Sequence, residues 1–166
     1  TYARDKEAVD ASMTLCEAAA YYKTQGWTLW DAMLDLYERL GYYQDAVSAI
    51  TLAGKEGIEK IGSIMTHLRA NPIKEIGGHK VVKIRDYDKD TITDLATGDV
   101  TPTGLPKSNV LYYELTDDAW ICVRPSGTEP KIKFYYGIKG SGFADADKKS
   151  ATMKKALDDL ADELTK

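Results

Sequence analysis

Apolar or small residues recur at Val9, Met13, Cys16, Ala19 and Ala20, close to the 3.6-residue period of a helix. They predict a helix from Asp5 to about Lys23, with Gly26 as its stop. Thr28 with Asp31 three residues later reads as a capping box. Leu29, Met33, Leu36, Tyr37 and Leu40 then mark one face of a second helix, and Gly41 stands where a left-handed cap is expected. Two short helices joined by a few residues form a hairpin with an apolar face left to cover. Residues 1–44 therefore read as a piece of a larger domain.

The pattern changes after Tyr43. Val47 to Leu52 reads as a strand, and Lys55 to Ala70 as a helix with Ile58, Ile61, Met65 and Leu68 inward. Asn71-Pro72 ends that helix, because a residue before proline disfavours the α region. Lys80 to Tyr87 alternates, with Val82 and Ile84 on one face. The Gly/Pro/Thr-rich stretch Ala96 to Ser108 predicts a solvent-facing loop. Val110 to Leu115 and Ala119 to Arg124 read as strands around a tight turn at Asp117-Asp118, and Ile132 to Ile138 as the last strand. A final helix from about Ala144 places Met153, Leu157, Leu160 and Leu164 inward. The order from residue 45 is β-α-β-β-β-β-α. It predicts an α+β fold, a largely antiparallel sheet whose apolar face is covered by two helices.

Composition narrows the function classes. A chain of 166 residues, 43% hydrophobic, can bury one ordinary core or a core with a small satellite. A net charge of −4 does not favour general nucleic-acid or membrane-surface binding. No apolar run approaches 18 residues and no secretory leader pattern opens the sequence. Cys16 and Cys122 read as free buried thiols of a reducing compartment, and the expected location is cytoplasmic. Asp86, Asp88, Asp90 and Asp94 resemble the opening of a calcium loop. Thr91 and Thr97 stand where such a loop needs Gly and Glu, so they read as a solvated acidic edge. His67 and His79 have no second ligand at metal spacing and read as structural or surface residues. No metal site is expected in this chain.

One segment carries chemistry: Arg124-Pro125-Ser126-Gly127-Thr128-Glu129-Pro130-Lys131-Ile132-Lys133. It joins two strands without being a two-residue turn. Pro125 and Pro130 restrict both ends, which lowers the entropy cost of ordering the loop. Ser126, Gly127 and Thr128 offer two hydroxyls and successive backbone N–H groups of the kind that cradle anions. Arg124 supplies a planar fork, and Lys131 and Lys133 alternate onto one face of the next strand. A fork, a point charge, hydroxyls and bare amides together suit a phosphate dianion.

The same ten residues resemble the phosphate-binding loop of the α-D-phosphohexomutases, the phosphoglucomutase and phosphomannomutase family. Gly41-Tyr42-Tyr43 and Ile76-Gly77-Gly78 are similar to its phosphoglucomutase branch. The resemblance implies that residues 45–166 form the last of four domains, a TATA-box-binding-protein-like sheet with two helices, and that 1–44 are the closing helices of the third. By position, Arg124, Ser126, Gly127 and Thr128 would hold the non-reacting phosphate of a hexose phosphate, glucose or mannose 1- or 6-phosphate. Lys133 falls where relatives commonly carry a basic residue, and Lys6, in Arg4-Asp5-Lys6, is a candidate neighbour of the reacting phosphate. A phosphoserine, Mg²⁺ and the sugar-binding loop would lie upstream of Thr1. The implied whole enzyme moves a phosphoryl group between C1 and C6 through a bisphosphorylated sugar, and this chain alone is expected to be inactive. A free-standing phosphate-binding module is the alternative. Asp86-Tyr87-Asp88-Lys89-Asp90 echoes the magnesium loop without the Arg that should follow it, and it is not assigned to metal.

Overall fold

The computed structural model describes residues 7–166. The chain divides into two compact units, residues 1–41 and 42–166. In the first, α1 (Ala8–Thr24) and α2 (Leu29–Leu40) form the hairpin that the periodicity predicts. Thr28 and Asp31 make the capping box: the Asp31 N–H donates to Thr28 Oγ1 at 3.1 Å and the Thr28 N–H to Asp31 Oδ2 at 2.7 Å. The Thr28 hydroxyl, which donates to Asp31 Oδ2 at 2.6 Å, and then the Thr28 N–H hold the Asp31 carboxyl below its usual range. Gly41 does take a positive φ of 111°, but its ψ of 158° is extended, so the chain leaves the helix directly into a strand. Cys16 and Cys122 are free, as expected, but Cys16 is exposed rather than buried, because α1 buries none of its residues. α2 buries only Ala32. Amides of the hairpin are therefore expected to exchange with water faster than those of the central strands below, since fewer packing contacts must break to open them. Hydrogen exchange read peptide by peptide checks this, and equal protection of residues 9–40 and 131–140 would contradict it.

The second unit holds β1 (Tyr42–Thr51), α3 (Gly54–Ala70), β2 (Glu75–Ile76), β3 (His79–Asp86), β4 (Thr91–Asp94), β5 (Val100–Thr101), β6 (Leu111–Leu115), β7 (Trp120–Pro125), β8 (Lys131–Gly140) and α4 (Phe143–Thr165). The strand order is β1-β8-β7-β6-β3-β4-β5, β2 pairs with β3, and every pairing is antiparallel. This is the predicted α+β architecture. Among the described residues no helix is long and apolar enough to cross a membrane.

Strand alternation decides which side chains enter the core. Ile132, Phe134, Tyr136 and Ile138 of β8, Ile121 and Val123 of β7, and Leu111, Tyr113 and Leu115 of β6 are buried. They form one cluster with Ile61, Ile64, Met65 and Leu68 of α3 and with Ala146, Met153, Leu157 and Ala161 of α4. Both helices thus cover the same face. The opposite face of β7 and β8 carries Cys122, Arg124, Lys133, Tyr135 and Lys139, and it is covered by no helix of this unit.

Three sequence expectations need correction. Val82 does not share a face with Ile84. The register against β6 slips between Val81 and Lys83, so Val82 is the extra residue of a bulge, and Val81 is buried while Val82 is 38% exposed. Ile58 does not face inward: it is 62% exposed, and Gly57 takes the buried position of that turn. The segment from Ala96 to Ser108 is also not purely loop, because β5 lies within it and pairs with β4, a strand just before it that the periodicity does not mark. The edges of other elements move less, β1 beginning five residues before the predicted Val47. At Thr116–Asp118 the expected tight turn is a single 3₁₀ turn, with Asp117 and Asp118 both at positive φ.

Candidate phosphate-binding site

β7 and β8 run antiparallel with Arg124 opposite Lys133 and Pro125 opposite Ile132. Directly opposite residues share a face, so the apolar pair points to the core and the two cations stand side by side on the other side of the sheet. The loop between them is tied at its base. The Ser126 N–H donates to the Lys131 carbonyl at 2.7 Å, and the Leu52 N–H, from the end of β1, donates to the Pro130 carbonyl at 2.9 Å. Ser126 Oγ accepts a long bond from the Thr128 N–H at 3.4 Å. A bond this long leaves that amide able to turn to a better acceptor.

Arg124, Pro125, Ser126, Gly127, Thr128, Lys133 and Tyr135 line a hollow of about 280 Å³. The sequence-derived residues Arg124, Ser126, Gly127, Thr128 and Lys133 therefore meet in one place. Lys131 does not join them. It pairs with Glu129 at 3.0 Å, and this bond holds the Glu129 carboxyl below its usual range. Among the described residues neither Arg124 nor Lys133 forms an ion pair, although the Glu129 carboxylate, paired with Lys131, also feels the Lys133 charge. Next along β7, burial pushes the Cys122 thiol pKa up, partly offset by Arg124. Lys6 lies outside the described residues.

Tyr135 is the lining residue that sequence reasoning missed. Its ring centroid lies 6.0 Å from the Lys133 ammonium. The signal was present: Tyr135 is two residues beyond Lys133, so the alternation that puts Lys133 on this face puts Tyr135 there too.

The acidic segment has structural work instead. Asp86 accepts from Arg69 Nε at 3.0 Å and from the Asp88 N–H at 3.1 Å. Asp90 accepts from the Thr103 and Gly104 amides, and Asp94 from those of Ala96 and Thr97. The Thr103 hydroxyl, which also donates to Asp90 Oδ1, is the main cause that holds the Asp90 carboxyl below the ordinary range, and the Ala96 and Thr97 amides do the same for Asp94. His79 is buried, with Nδ1 3.1 Å from the Thr116 carbonyl.

Residues 73–154, which include the whole loop, match the family model for the phosphoglucomutase/phosphomannomutase C-terminal domain. The chain carries the C-terminal domain of the phosphoglucomutase/phosphomannomutase family. It is 41% identical over 152 residues to phosphoglucomutases of Staphylococcus aureus strains MSSA476 and MRSA252, and 40% identical to that of strain RF122. Each match covers 92% of this chain and 27% of the relative, so the chain spans about a quarter of the length of these curated phosphoglucomutases. β1 and α3 lie wholly outside the stretch that the phosphoglucomutase/phosphomannomutase model matches, yet they complete its sheet and core. β1 pairs with β8 along ten residues, and α3 contributes four core side chains.

Proposed function

We propose that this chain is the phosphate-positioning end of a phosphohexomutase of the phosphoglucomutase branch. Arg124, Ser126, Gly127, Thr128 and Lys133 hold the non-reacting phosphate of a hexose phosphate while its other end reacts. The observation that carries the reading is the juxtaposition of Arg124 and Lys133, neither ion-paired among the described residues, at the mouth of a loop of hydroxyls and backbone amides. A phosphate dianion accepts from a guanidinium through two parallel bonds and from the ammonium as a point charge, while the amides of Gly127 and Thr128 add backbone donors. Fixing one phosphate sets the reach of the sugar and so the position of the oxygen at its far end. The contribution is orientation and charge neutralisation. In this reading bond making falls to a phosphoserine upstream of Thr1.

Mg²⁺, which the whole enzyme would use, does not fit the residues described here. Asp86, Asp90 and Asp94 are committed to Arg69, to the Thr103–Gly104 turn and to the Ala96–Thr97 amides, and no three potential ligands converge among the described residues. The cytoplasmic location and the third-domain origin of residues 1–44 belong to this same reading.

The test is a titration of the 166-residue chain with inorganic phosphate, followed by amide NMR signals. Ser126, Gly127 and Thr128 are expected to move first and furthest, with weak, millimolar affinity because the loop forms one wall of the site. Shifts elsewhere that leave these three in place would remove the loop from the assignment.

A further inference from the structure

The face of the sheet that bears the cationic hollow also carries a row of aromatic rings. Tyr135 on β8 stands opposite Cys122 on β7, and Cys122 stands opposite Tyr112 on β6. Arg124 and Lys133 form the neighbouring row. Tyr135 is therefore one same-face step from Lys133, about 7 Å along the strand. No helix of this unit covers these rows.

Most rings of this face are already engaged. Tyr112 stacks on Trp120, with centroids 5.6 Å apart and planes 12° from parallel, and the Arg85 guanidinium lies 5.7 Å from the Tyr112 ring. Trp120 lies against Gly137, where an added Cβ would meet its Nε1 at 2.2 Å. Tyr43 has the Lys139 ammonium 5.1 Å from its centroid. Tyr135 differs. Among the described residues it stacks on no other ring, and the Lys133 ammonium, 6.0 Å from its centroid, is at the outer limit of a cation–π contact. The residue across from it, Cys122, is small. Tyr135 and Tyr112 are thus two strand spacings apart, about 9.6 Å between backbones, with a short side chain between them.

A half-buried ring one step from two cations suits a ligand with a dianion at one end and a flat ring at the other. We propose that the hollow takes a second class of ligand, a nucleoside monophosphate, with its phosphate between Arg124 and Lys133 and its base on Tyr135. The inference rests on the phosphate reading of the loop and adds regulation to it, because such a ligand fills the hollow that a hexose phosphate needs and competes with it. Charge narrows the choice. Arg85 is paired with Glu114, Lys139 with Asp118 and Lys131 with Glu129, so Arg124 and Lys133 match one dianion. A nucleoside triphosphate or a polynucleotide would add negative charge that these rows do not meet, on a chain of net charge −4. An aryl phosphate has its ring bonded directly to the ester oxygen and falls short of the step that a ribose spans.

The experiment titrates the 166-residue chain with AMP, with ribose 5-phosphate, which lacks the base, and with phenyl phosphate. AMP is expected to bind about tenfold more tightly than either, in the range of one base stacked on one aromatic side chain. It should shift the amides of Cys122 and Tyr135 as well as those of the loop, and its adenine H2 and H8 signals should move upfield. Tyr135→Phe keeps the ring and is expected to keep the ratio, whereas Tyr135→Leu should bring it near one. Nuclear Overhauser contacts between adenine protons and the Tyr135 ring are expected in the unsubstituted chain, and they decide the point even if the leucine variant does not fold. Equal affinity for AMP and ribose 5-phosphate, a ratio that survives Tyr135→Leu, or phenyl phosphate binding as tightly as AMP overturns the proposal while leaving the loop assignment intact. If all three ligands leave Ser126, Gly127 and Thr128 unmoved, the loop assignment falls and the proposal falls with it.

Discussion

Replacing Arg124 by alanine in the whole enzyme is expected to lower kcat/KM by about 30- to 10³-fold, or roughly 2–4 kcal/mol of transition-state stabilisation. The guanidinium stands opposite Lys133 at the lining of the loop hollow, and among the described residues it has no ion-pair partner to share it with. Losing it removes a bidentate charge-assisted contact, and it also lets the anchored end of the sugar shift. A misplaced anchor misplaces the reacting oxygen, so both kcat and KM should suffer. Arg124→Lys restores the charge without the planar fork and is expected to recover only part of the loss. Unfolding midpoints should stay close to those of the unsubstituted protein, because Arg124 is exposed and outside the core. Steady-state kinetics of the two variants decide the matter. An Arg124→Ala enzyme within threefold of the unsubstituted one would mean that the phosphate is held elsewhere.

The largest effect on stability is expected at Gly57. A Cβ on this residue would lie 1.9 Å from the Leu52 carbonyl oxygen and 2.4 Å from its carbon. Both are backbone atoms, so no side-chain rotation relieves the overlap, and either α3 or the end of β1 must move. Alanine gains about 1 kcal/mol of helix propensity over glycine, but overpacking against backbone costs about 3 kcal/mol or more. The net expectation for Gly57→Ala is a loss of about 2–3 kcal/mol, read by urea or thermal unfolding. The loop should feel it as well, because the Leu52 N–H is the donor to Pro130. Gly62→Ala provides the opposite case on the same helix. With open space around the added methyl, it should leave stability unchanged or raise it by up to about 1 kcal/mol. Equal effects of the two substitutions would refute the close approach at Leu52.

Periodicity was enough for the long elements, because α3, α4, β6, β7 and β8 each bury one regular face. It failed where a local event breaks the period. The bulge at Val82 inserts one residue and reverses inward and outward for everything after it, and a count of alternate residues cannot register an insertion in a partner-dependent ladder. Ile58 failed for a different reason. Hydrophobicity marked it as core, whereas the close approach of β1 and α3 demanded the bare Gly57 there. The two-residue strands β2 and β5 are too short to carry any period. At the site, charge and loop chemistry were local in sequence and could be read directly. The placing of Tyr112 in one row with Tyr135 could not, because it depends on the register of β6, β7 and β8.

The register that sets Arg124 against Lys133 has a thermodynamic side. Like charges directly opposite one another across two strands repel, and among the described residues neither member of this pair has an ion-pair partner to relieve it. The folded domain therefore carries a built-in demand for a counter-ion, and an anion that settles in the loop should act as a stabiliser of the whole unit. By mass action, about ten times the dissociation constant of such an anion contributes about 1.4 kcal/mol. Melting curves then report occupancy without any enzyme assay. Phosphate is expected to raise the melting temperature above that in chloride at equal ionic strength, and to lose most of that advantage in Arg124→Ala. The choice of buffer salt thus becomes part of the molecule's stability, written into a single cross-strand pair.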